Sequence, residues 1–403
     1  SVFPPVWRTG RSGWIPRGDG MEGKDQTFLI FGTEHGNPLG LVRTLGENGI
    51  APIGIILKAQ VPIASKCRYW RTCHVVDTVE EGLELLLYRY ADKDRKRFLF
   101  STADEITQVL DAHYDELSPY YYFNSAGQAG RLSEYMGKAN IIRLAQKHGL
   151  ETADYWEVDR GVIPEGIQYP VITKAVDSFV ENWKDCMIIC RSEAELKAAY
   201  ETLSCPRVLV QRYVDKKNEM TLEGLSVCQG KRSAVAVTIS FLYLPKDSYG
   251  RYMTVKPSKN KDLEEKIFSM LKEIGYEGLF EAEFLVGQND ELYFLEINFR
   301  SSLWNYSATV AGVPLPLVWA QAMLEPEKLG ELCQTKGGAF TAMDELNDFR
   351  DRVMTHQISF GQWLSDFRGC KCRYYLGKKD PMPMVSMFTG SVRRKLKRVI
   401  HKA

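Results

Sequence analysis

The sequence lacks the features that mark membrane-spanning, disulfide-stabilised and zinc-binding proteins. The longest mostly apolar stretch, Ile50–Leu57, has 8 residues and includes a proline and a glycine, whereas a membrane-spanning helix needs roughly 20 apolar residues. Nine cysteines, an odd number, are scattered between Cys67 and Cys372, which is typical of free thiols in a reducing compartment. Cys370 and Cys372 have no histidine or further cysteine at the spacing of a zinc site. We therefore expect a cytoplasmic protein with free thiols.

The sequence also lacks an excess of charge of either sign, with 52 Lys and Arg against 51 Asp and Glu. The basic residues are unevenly placed. Six lie in the last 13 residues, 391–403, which contain no acid, so the first 390 residues carry 46 basic and 51 acidic groups. Because a nucleic-acid-binding body is expected to be basic, this class of function is disfavoured. The tail predicts a basic amphipathic helix, which is typical either of a solvated terminus or of peripheral contact with an anionic membrane surface.

The amino-terminal part of the sequence alternates between predicted strands and predicted helices. An apolar run, a helical pattern and a second apolar run succeed one another twice, which predicts two strand–helix–strand units and a parallel sheet. The predicted elements are strands at 28–31, 52–57, 98–100 and 120–123 and helices at 38–47 and 105–116. Residues 1–20 lack the apolar segment of a secretory signal and precede Met21, so we interpret them as a leader or an expression remnant.

The loop after the first predicted strand does not match a dinucleotide-binding pattern. It reads Gly32-Thr-Glu-His-Gly36, whereas a dinucleotide site requires G-x-G-x-x-G. Loop ends in this part of the chain carry polar residues that could face a substrate or could be ordinary loop residues: Glu34, His35, Asp104 and Glu105.

The middle of the chain reads as a mixture of short strands and helices. Helical spacing of apolar residues predicts a helix over 131–148 that ends at Gly149. Short β-like runs alternate with one helical stretch at 193–203, which indicates an antiparallel α+β region. A helix at 263–274 precedes two strands, 279–286 and 291–298, which a turn joins into a hairpin.

That hairpin carries the most specific chemistry of the sequence. Glu281 and Glu283 occupy alternate positions of one strand, and Glu296 and Asn298 alternate positions of the other, so two acidic rows meet across the hairpin. Like charges opposite one another destabilise a sheet, so we expect a cation between Glu283 and Glu296. Carboxylate and amide oxygens favour magnesium or manganese over zinc. The alternative is a solvent-exposed sheet face with spare acids.

Other charged residues give weaker signals. Arg300 follows Asn298 on the same side of an extended chain, where a guanidinium can bind phosphate or carboxylate oxygens. Lys174 ends a strand before a polar loop, which suits either a phosphate contact or a solvated strand end. The segment from Val208 to Glu219 reads as a strand, a polar turn at 215–218 and a strand that begins with an acid, an arrangement along which a nucleotide can lie.

Together these features resemble the ATP-grasp superfamily over the residues from Phe28 to about Pro326. The order is the one this family uses: a helix lysine, a strand lysine and loop, a hinge, a ribose acid, and an acidic hairpin that ends in E-x-N-x-R. The resemblance implies an α/β and α+β protein with a parallel-sheet pre-ATP-grasp domain at 21–125 and an ATP-grasp domain at 126–330. A small α+β lid subdomain would span about 151–212, and a C-terminal extension 331–403.

The resemblance also implies roles for individual residues. Those that would contact ATP are Lys138, Lys174 and Lys184 at the phosphates, Gln211 and Val214 at the adenine, and Glu219 at the ribose. The implied magnesium ligands, which could also bind manganese, are Glu283, Glu296 and Asn298, and the implied catalytic cations are Arg300, Lys174 and Lys256. Two departures concern the loop 177–185, which lacks the family's glycines, and the connection from Gln211 to Glu219, which is slightly long.

Softer segments at 97–105, 115–119 and 276–280 are most similar to the carboxylate-amine ligase branch, which includes bacterial D-aspartate ligase. The resemblance implies that ATP activates a carboxylate, such as that of an amino acid, as an acyl-phosphate, and that an amine then forms the amide, as in modification of cell-envelope precursors. Its partners would be a small carboxylate and an amine acceptor, and a homo-oligomer is compatible with it. The alternatives are another ATP-grasp chemistry, such as a carboxylase or phosphotransferase, and a non-catalytic nucleotide-binding protein.

Overall fold

The computed structural model describes residues 28–176, 186–245 and 249–390. Three sequence-based expectations fall on residues outside these ranges: the leader at 1–20, the loop at 177–185 with Lys184, and the basic tail at 391–403. Within the described part of the chain, no helix is both long enough and apolar enough to cross a bilayer. All nine cysteines are free thiols.

The amino-terminal domain is a five-stranded parallel sheet, as the repeated strand–helix–strand pattern predicted. Its strands are β1 (Phe28–Thr33), β2 (Ile53–Leu57), β3 (Thr72–Val76), β4 (Arg97–Ser101) and β5 (Tyr121–Phe123). They follow the order β3-β2-β1-β4-β5, so β1 lies at the centre and is almost completely buried. The carboxyl ends of β1 and β4 therefore lie side by side, and the loops that follow them reach the same region.

The crossover connections of this sheet contain four α-helices. They are α1 (Gly36–Glu47), α2 (Val79–Glu84), α3 (Asp104–Ala112) and α4 (Tyr114–Leu117), with a π-helical turn at Leu85–Arg89 and a 3₁₀ turn at Ala64–Lys66. The prediction of one helix over 105–116 was wrong in detail, because His113 leaves helical geometry (φ −99°, ψ 25°) and separates α3 from α4. β3 was not predicted, because this edge strand buries only one of its five residues and has little apolar periodicity.

Two helices lead from this domain to the next one, where the sequence predicted a single helix over 131–148. They are α5 (Arg131–Met136) and α6 (Lys138–Lys147). Gly137 between them is extended (φ −68°, ψ 127°), and glycine has a low helix propensity because it loses the most backbone freedom on folding. The break places Lys138 at the first position of α6, where unpaired backbone N–H groups favour an anion.

The segment predicted to be a lid, which we continue to call the lid, is a small α+β unit with its own core. Its antiparallel sheet has the order β6-β9-β7-β8 and is accompanied by one helix. Its elements are β6 (Tyr155–Asp159), β7 (Val171–Ala175), β8 (Ile189–Cys190), α7 (Glu193–Thr202) and β9 (Arg207–Arg212). Buried apolar residues between the sheet and α7, among them Val171, Leu196 and Val208, form a separate hydrophobic cluster.

The largest layer is a seven-stranded sheet with the order β14-β13-β10-β11-β12-β15-β16. Its strands are β10 (Lys216–Val227), β11 (Arg232–Phe241), β12 (Tyr252–Pro257), β13 (Gly278–Gly287), β14 (Leu292–Asn298), β15 (Phe340–Met343) and β16 (Cys372–Arg373). α8 (Lys261–Ile274) packs on one face, capped by Asn260 at its start and by Gly275 at its end. α9 (Asn305–Val310) and α10 (Leu315–Leu324) lie on the other face, between this sheet and the amino-terminal domain.

The C-terminal extension completes this sheet, because β15 pairs with β12 and β16 pairs with β15. The helical elements that follow α10 are α11 (Leu329–Leu332), α12 (Glu345–Asp348), α13 (Phe360–Gly369) and a helix at 382–390, with a 3₁₀ turn at Pro326–Lys328 and a π-helical turn at Phe349–Val353. Arg43 of α1 and Asp380 form a buried ion pair of 2.9 Å. The extension thus contacts both the sheet and the amino-terminal domain.

Candidate functional site

Five polar side chains line one face of the seven-stranded sheet at β10, β13 and β14. The hairpin register pairs Glu283 with Glu296 and Glu281 with Asn298. On the other side of β13, Glu281 pairs with Glu223 of β10. Cross-strand partners lie on the same face of a sheet, so the two acidic rows of the hairpin meet as the sequence predicted and continue onto β10.

Asn298 and Arg300 connect this acidic face to the amino-terminal domain. The Asn298 amide nitrogen donates to a carboxylate oxygen of Glu281 at 3.0 Å and to one of Glu283 at 2.7 Å. The Asn298 carbonyl oxygen accepts a hydrogen bond of 3.2 Å from Arg300. Arg300 also binds Asp104, the first residue of α3, through two hydrogen bonds of 2.7 and 3.2 Å. The site is therefore assembled from two domains.

The electrostatics of this face favour an added cation. Burial raises the pKa of Glu281 and of Glu283 well above the ordinary value, and neighbouring carboxylates raise each further. Burial alone would lower the pKa of Arg300, but Asp104 more than reverses this and keeps the pKa raised. Arg300 thus interacts with Asp104 first and with the acidic face as well, and one oxygen of Glu281 has no hydrogen-bond partner. The donor set of carboxylates and an amide fits Mg²⁺.

The protein offers this cation only part of a coordination shell. Across residues 28–176, 186–245 and 249–390, no three His, Cys, Asp or Glu side chains are grouped as a metal site. The ligands that the protein itself can supply to a metal here are two opposed carboxylates, Glu283 and Glu296, and the amide of Asn298. Magnesium is typically held by one or two carboxylates together with water and substrate phosphates, so such a partial shell suits a metal shared with a nucleotide.

Two predicted lysines lie close to the acids. Lys174, on β7 of the lid, donates a 2.8 Å hydrogen bond to the side-chain oxygen of Gln211. Burial and then the charge of Lys138 lower the pKa of Lys174 to about 8, against the opposing influence of Glu296. Lys138 also lines a cavity of about 340 Å³ between α6 and the lid. The structure therefore brings both lysines into the electrostatic neighbourhood of the hairpin.

The predicted hinge lies between β9 and β10 but is shorter than expected. β9 ends at Arg212 and β10 begins at Lys216, so the polar turn predicted at 215–218 is mostly strand, with an irregular register near its start. Val214 is buried in the three-residue connection. Glu219 already belongs to β10 and forms an ion pair with Lys216. The connection from Gln211 to Glu219 looked long in the sequence because its last residues belong to β10.

The structure does not bring Lys256 to the acidic face. Lys256 of β12 pairs with Thr238, which pairs with Leu222 of β10. Leu222 pairs in turn with Ala282 of β13, so Lys256 and Ala282 lie on the same face of the sheet. Ala282 stands between Glu281 and Glu283 in the strand and therefore lies on the face opposite to these acids. Strand alternation thus separates Lys256 from the site. Lys184 lies outside the described residues.

Only one of the four polar loop residues of the amino-terminal domain contacts the predicted site residues. Asp104 binds Arg300. Glu34 is buried and accepts hydrogen bonds from the backbone N–H groups of Ile63 and Ser65, which is a structural role. His35 is exposed and bonds to Asn37 at 2.8 Å, and Glu105 is exposed on α3.

Two residues of the site were not predicted. Lys216 contributes to the electrostatic environment of Lys174 and is paired with Glu219. Glu223 extends the acidic row onto β10. The signal for Glu223 was present in the sequence, because it stands four residues after Glu219 in the same strand and so shares its face.

Comparisons with known proteins find a family model that matches part of the chain, a distant relative and solved structures of similar fold. Residues 157–327 match the family described as carbamoyl-phosphate synthase L chain, ATP binding domain. The chain is 22% identical over 257 residues to D-aspartate ligase of Enterococcus faecium (strain Aus0004), a match that covers 59% of this chain and 61% of that protein. The chain thus matches less than two thirds of the length of this relative.

Two solved structures are similar in fold. An L-amino acid ligase from Bacillus licheniformis has a TM-score of 0.57 at 12% identity, covering 77% of this chain and 78% of that one. The biotin carboxylase domain of the Hydrogenobacter thermophilus 2-oxoglutarate carboxylase, in complex with MgADP, ADP and bicarbonate, has a TM-score of 0.60 at 17% identity, covering 78% and 73%. The fold that the sequence predicts is thereby confirmed.

Proposed function

We propose that this chain belongs to the ATP-grasp superfamily and that it is an ATP-dependent ligase that joins a carboxylate to an amine, which the family match, the ligase relative and the similar fold support. The observation that carries the proposal is the meeting of two lysines from α6 and the lid with an acidic hairpin and an arginine anchored by the amino-terminal domain. These are opposite charges arranged around a space between domains, as a triphosphate with its metal requires.

In this proposal each side chain positions or neutralises a reacting group. Lys138 and Lys174 hold the ATP phosphates, the first from the amino end of α6. Glu283, Glu296 and Asn298 would hold Mg²⁺, with Mn²⁺ as a substitute, and the ion would neutralise charge on the β- and γ-phosphates. Arg300 lies on the same edge and stabilises the charge on the phosphoryl group during its transfer.

The substrates follow from the chemistry of the relatives. The substrate carboxylate takes the γ-phosphoryl group and becomes an acyl-phosphate with release of ADP, and an amine then displaces phosphate to give the amide. An amino acid such as D-aspartate is the first carboxylate to test, because the Enterococcus relative is a D-aspartate ligase. An amine on a cell-envelope precursor is the corresponding acceptor, which places the reaction in the cytoplasm or at the inner face of the membrane.

The test is a release assay with the purified chain. ATP, Mg²⁺ and a panel of D- and L-amino acids are supplied first with hydroxylamine, which converts an acyl-phosphate to a hydroxamate, and then with cell-wall precursors. We expect phosphate release and hydroxamate to appear together and to depend on one class of amino acid. ADP formation without hydroxamate or amide would indicate a carboxylase or phosphotransferase, and nucleotide binding with no turnover a non-catalytic protein.

A pair of variants of the same hairpin sharpens this test. Glu296→Gln should lower turnover about 10²-fold or more, because a lost charged contact to the reacting phosphates costs several kcal/mol of barrier. Glu291→Gln, in the exposed turn of the hairpin, is the matched control and should keep the parent turnover. Equal rates for both variants would contradict the assignment of Glu296.

A peripheral membrane contact is supported by the end of the described chain. The helix at 382–390 packs Met384 and Met387 against the core and leaves Met382, Val385 and Phe388 exposed. Six cations follow in the tail, a combination that suits an anionic lipid surface. Co-sedimentation with vesicles that contain phosphatidylglycerol, but not with phosphatidylcholine alone, is the expected result, and Phe388→Asp should weaken it. Equal sedimentation with both kinds of vesicle would argue against this contact.

A further inference from the structure

Two buried glutamates beside the predicted metal ligands have no assigned role. Glu223 of β10 and Glu281 of β13 are directly opposite in the sheet, and their exposed fractions are 0% and 3%. Ser302 donates to one oxygen of Glu223, and Asn298 donates to one oxygen of Glu281. The second oxygen of each carboxylate has no hydrogen-bond partner. We call these two residues the acid pair.

Neutral polar groups beside the acid pair are also unpartnered. Asn305, the first residue of α9 and 1% exposed, lies within hydrogen-bonding reach of Glu223, although no hydrogen bond of normal geometry satisfies its amide. The hydroxyl of Thr221, which is 4% exposed, is unpartnered as well. Thr221 stands two residues before Glu223 on β10 and therefore lies on the same face of the sheet. Buried side chains of this kind are usually satisfied, so unpartnered carboxylate oxygens on neighbouring strands, with further unsatisfied polar groups beside them, indicate a ligand with hydrogen-bond donors.

The energetics oppose a purely structural role for the acid pair. Like charges directly opposite destabilise a sheet, and a buried carboxylate is expensive unless it is paired. The charge of Arg300 acts on both glutamates, but Arg300 is bound to Asp104 through two of its nitrogens. A sheet that keeps both glutamates therefore needs a bound proton or a further cation beside them.

The chemistry of the surrounding atoms distinguishes between possible cations. A divalent metal needs about six oxygen ligands in a defined geometry, and the described residues contain no third acid grouped with these two as a metal site. A primary ammonium carries three N–H donors, and the unpartnered oxygens of Glu223, Glu281 and Asn305 supply three acceptors. The acid pair also adjoins Glu283 and Asn298, at the reacting end of the proposed nucleotide site.

We propose that Glu223 and Glu281 form the subsite that binds the primary ammonium group of a substrate. This inference rests on the proposed ligase function and deepens it, since it makes the substrate class an amine or an amino acid with a free amino group. The ammonium belongs either to the activated amino acid, where it stays protonated, or to the acceptor, where its nitrogen attacks the acyl-phosphate only after losing a proton to solvent. The acid pair binds this group and positions the substrate beside the phosphates.

The experiment compares charge-removing variants in the assays described above. Glu223→Gln and Glu281→Gln keep shape and remove charge, and Glu264→Gln is the matched control. Glu264 is 4% exposed with one unpartnered oxygen, but lies on α8 and is paired with Lys261. With hydroxylamine as the nucleophile, the KM for the amino acid is measured. With an amine acceptor, the KM for the acceptor is measured.

We expect Glu223→Gln to raise one of these two KM values about tenfold or more, with kcat within about threefold of the parent, because a charge-assisted hydrogen bond is lost. A raised amino-acid KM in the hydroxylamine assay assigns the ammonium to the activated amino acid, and the parent should then discriminate aspartate from succinate more strongly than the variant does. A raised KM for the acceptor alone assigns the ammonium to the acceptor. The melting temperature should not fall, because the variant relieves a repulsion.

Three outcomes would contradict the inference. Both KM values of Glu223→Gln could equal those of the parent. The Mg²⁺ concentration for half-maximal rate could rise in parallel with KM, which would indicate a metal site. Glu264→Gln could produce the same change, which would indicate a general effect of removing a buried charge. If the parent itself yields no phosphate and no hydroxamate with any amino acid, the proposed function fails, whereas an active parent with an unchanged variant contradicts the acid pair alone.

Discussion

At the scale of single residues, the geometry of Arg300 matters more than its charge. Arg300 uses its planar fork to hold both oxygens of Asp104 while also contacting Asn298. A lysine keeps the positive charge but presents one point donor group, so it cannot reproduce a bidentate contact. The position of the Arg300 guanidinium near the reacting group therefore depends on its bidentate contact with Asp104, which its charge alone does not determine.

We predict that Arg300→Lys lowers kcat about 10²-fold while the KM for ATP stays within about threefold of the parent, because stabilisation of the transferred group is lost rather than nucleotide binding. Steady-state phosphate release measures both constants. Arg350→Lys is the control, since Arg350 is exposed and pairs with the neighbouring Asp351 in the C-terminal extension. A kcat for Arg300→Lys close to that of the parent would remove Arg300 from the transfer step.

Lys174 gives a prediction about pH. Burial lowers the pKa of Lys174 to about 8, so its positive charge is present below that pH and is lost as the pH rises through it. Because phosphate binding needs the charged form, kcat/KM for ATP should fall above about pH 8. The pH profile of kcat/KM reports groups of the free enzyme, which makes it the measurement to use.

The variant Lys174→Arg tests the origin of that fall. Arginine stays protonated throughout the accessible range, so the decrease above about pH 8 should be absent in the variant even if its rate is lower overall. Identical profiles for the parent and Lys174→Arg would show that another group titrates there.

At the scale of secondary-structure elements, periodic segments were predictable and interrupted ones were not. The hairpin β13–β14 and helix α8 have strong period-two and helical patterns and clear boundaries at Asn260 and Gly275. Gly137 interrupts a helical pattern that continues on both sides of it, so the sequence predicted one helix where the structure has α5 and α6. The break is set by local backbone geometry, which apolar spacing does not encode.

The turn between β10 and β11 gives a prediction about stability. Three successive residues, Cys228, Gln229 and Gly230, have positive φ, and a Cβ on Gly230 would lie 2.2 Å from the backbone oxygen of Leu271 in α8. Gly230→Ala should therefore lower the free energy of unfolding by about 2–4 kcal/mol, because a left-handed conformation and overpacking against backbone are both unfavourable.

Denaturant unfolding of the parent and variant provides the measurement. Gly338→Ala is the matched control, since nothing lies within 4 Å of its Cβ position. We expect this control to unfold like the parent. Equal stability of the two variants would show that the turn and α8 can separate without cost.

At the scale of the whole molecule, the site depends on contacts between residues distant in sequence. Asp104 and Arg300 are 196 positions apart, and Glu223 and Ser302 are 79 apart. The resemblance to a family pointed to the hairpin acids, Lys138 and Lys174, because their order along the chain carries that information. It could not indicate that Arg300 is anchored by Asp104 or that strand register turns Lys256 away, since both depend on how elements pack.

The contact between α1 and the C-terminal extension also joins residues that are distant in the sequence. Arg43, 1% exposed, donates to Asp380 and to the backbone oxygens of Tyr374 and Tyr375. Asp380 also accepts a hydrogen bond from the backbone of Arg68. One buried arginine therefore joins the amino-terminal domain to the chain that follows β16.

We predict that Arg43→Ala lowers the free energy of unfolding by about 3–5 kcal/mol, because it leaves the Asp380 carboxylate buried without its cation. Lys58→Ala breaks an exposed ion pair with Asp77 and should cost at most about 1 kcal/mol. Denaturant unfolding compares the two, and limited proteolysis should cut the Arg43→Ala protein first in the extension. If instead both variants unfold at the same denaturant concentration and resist protease like the parent, then the extension is held by the shared sheet alone, and the pairing of β15 with β12 is sufficient to keep the domains together.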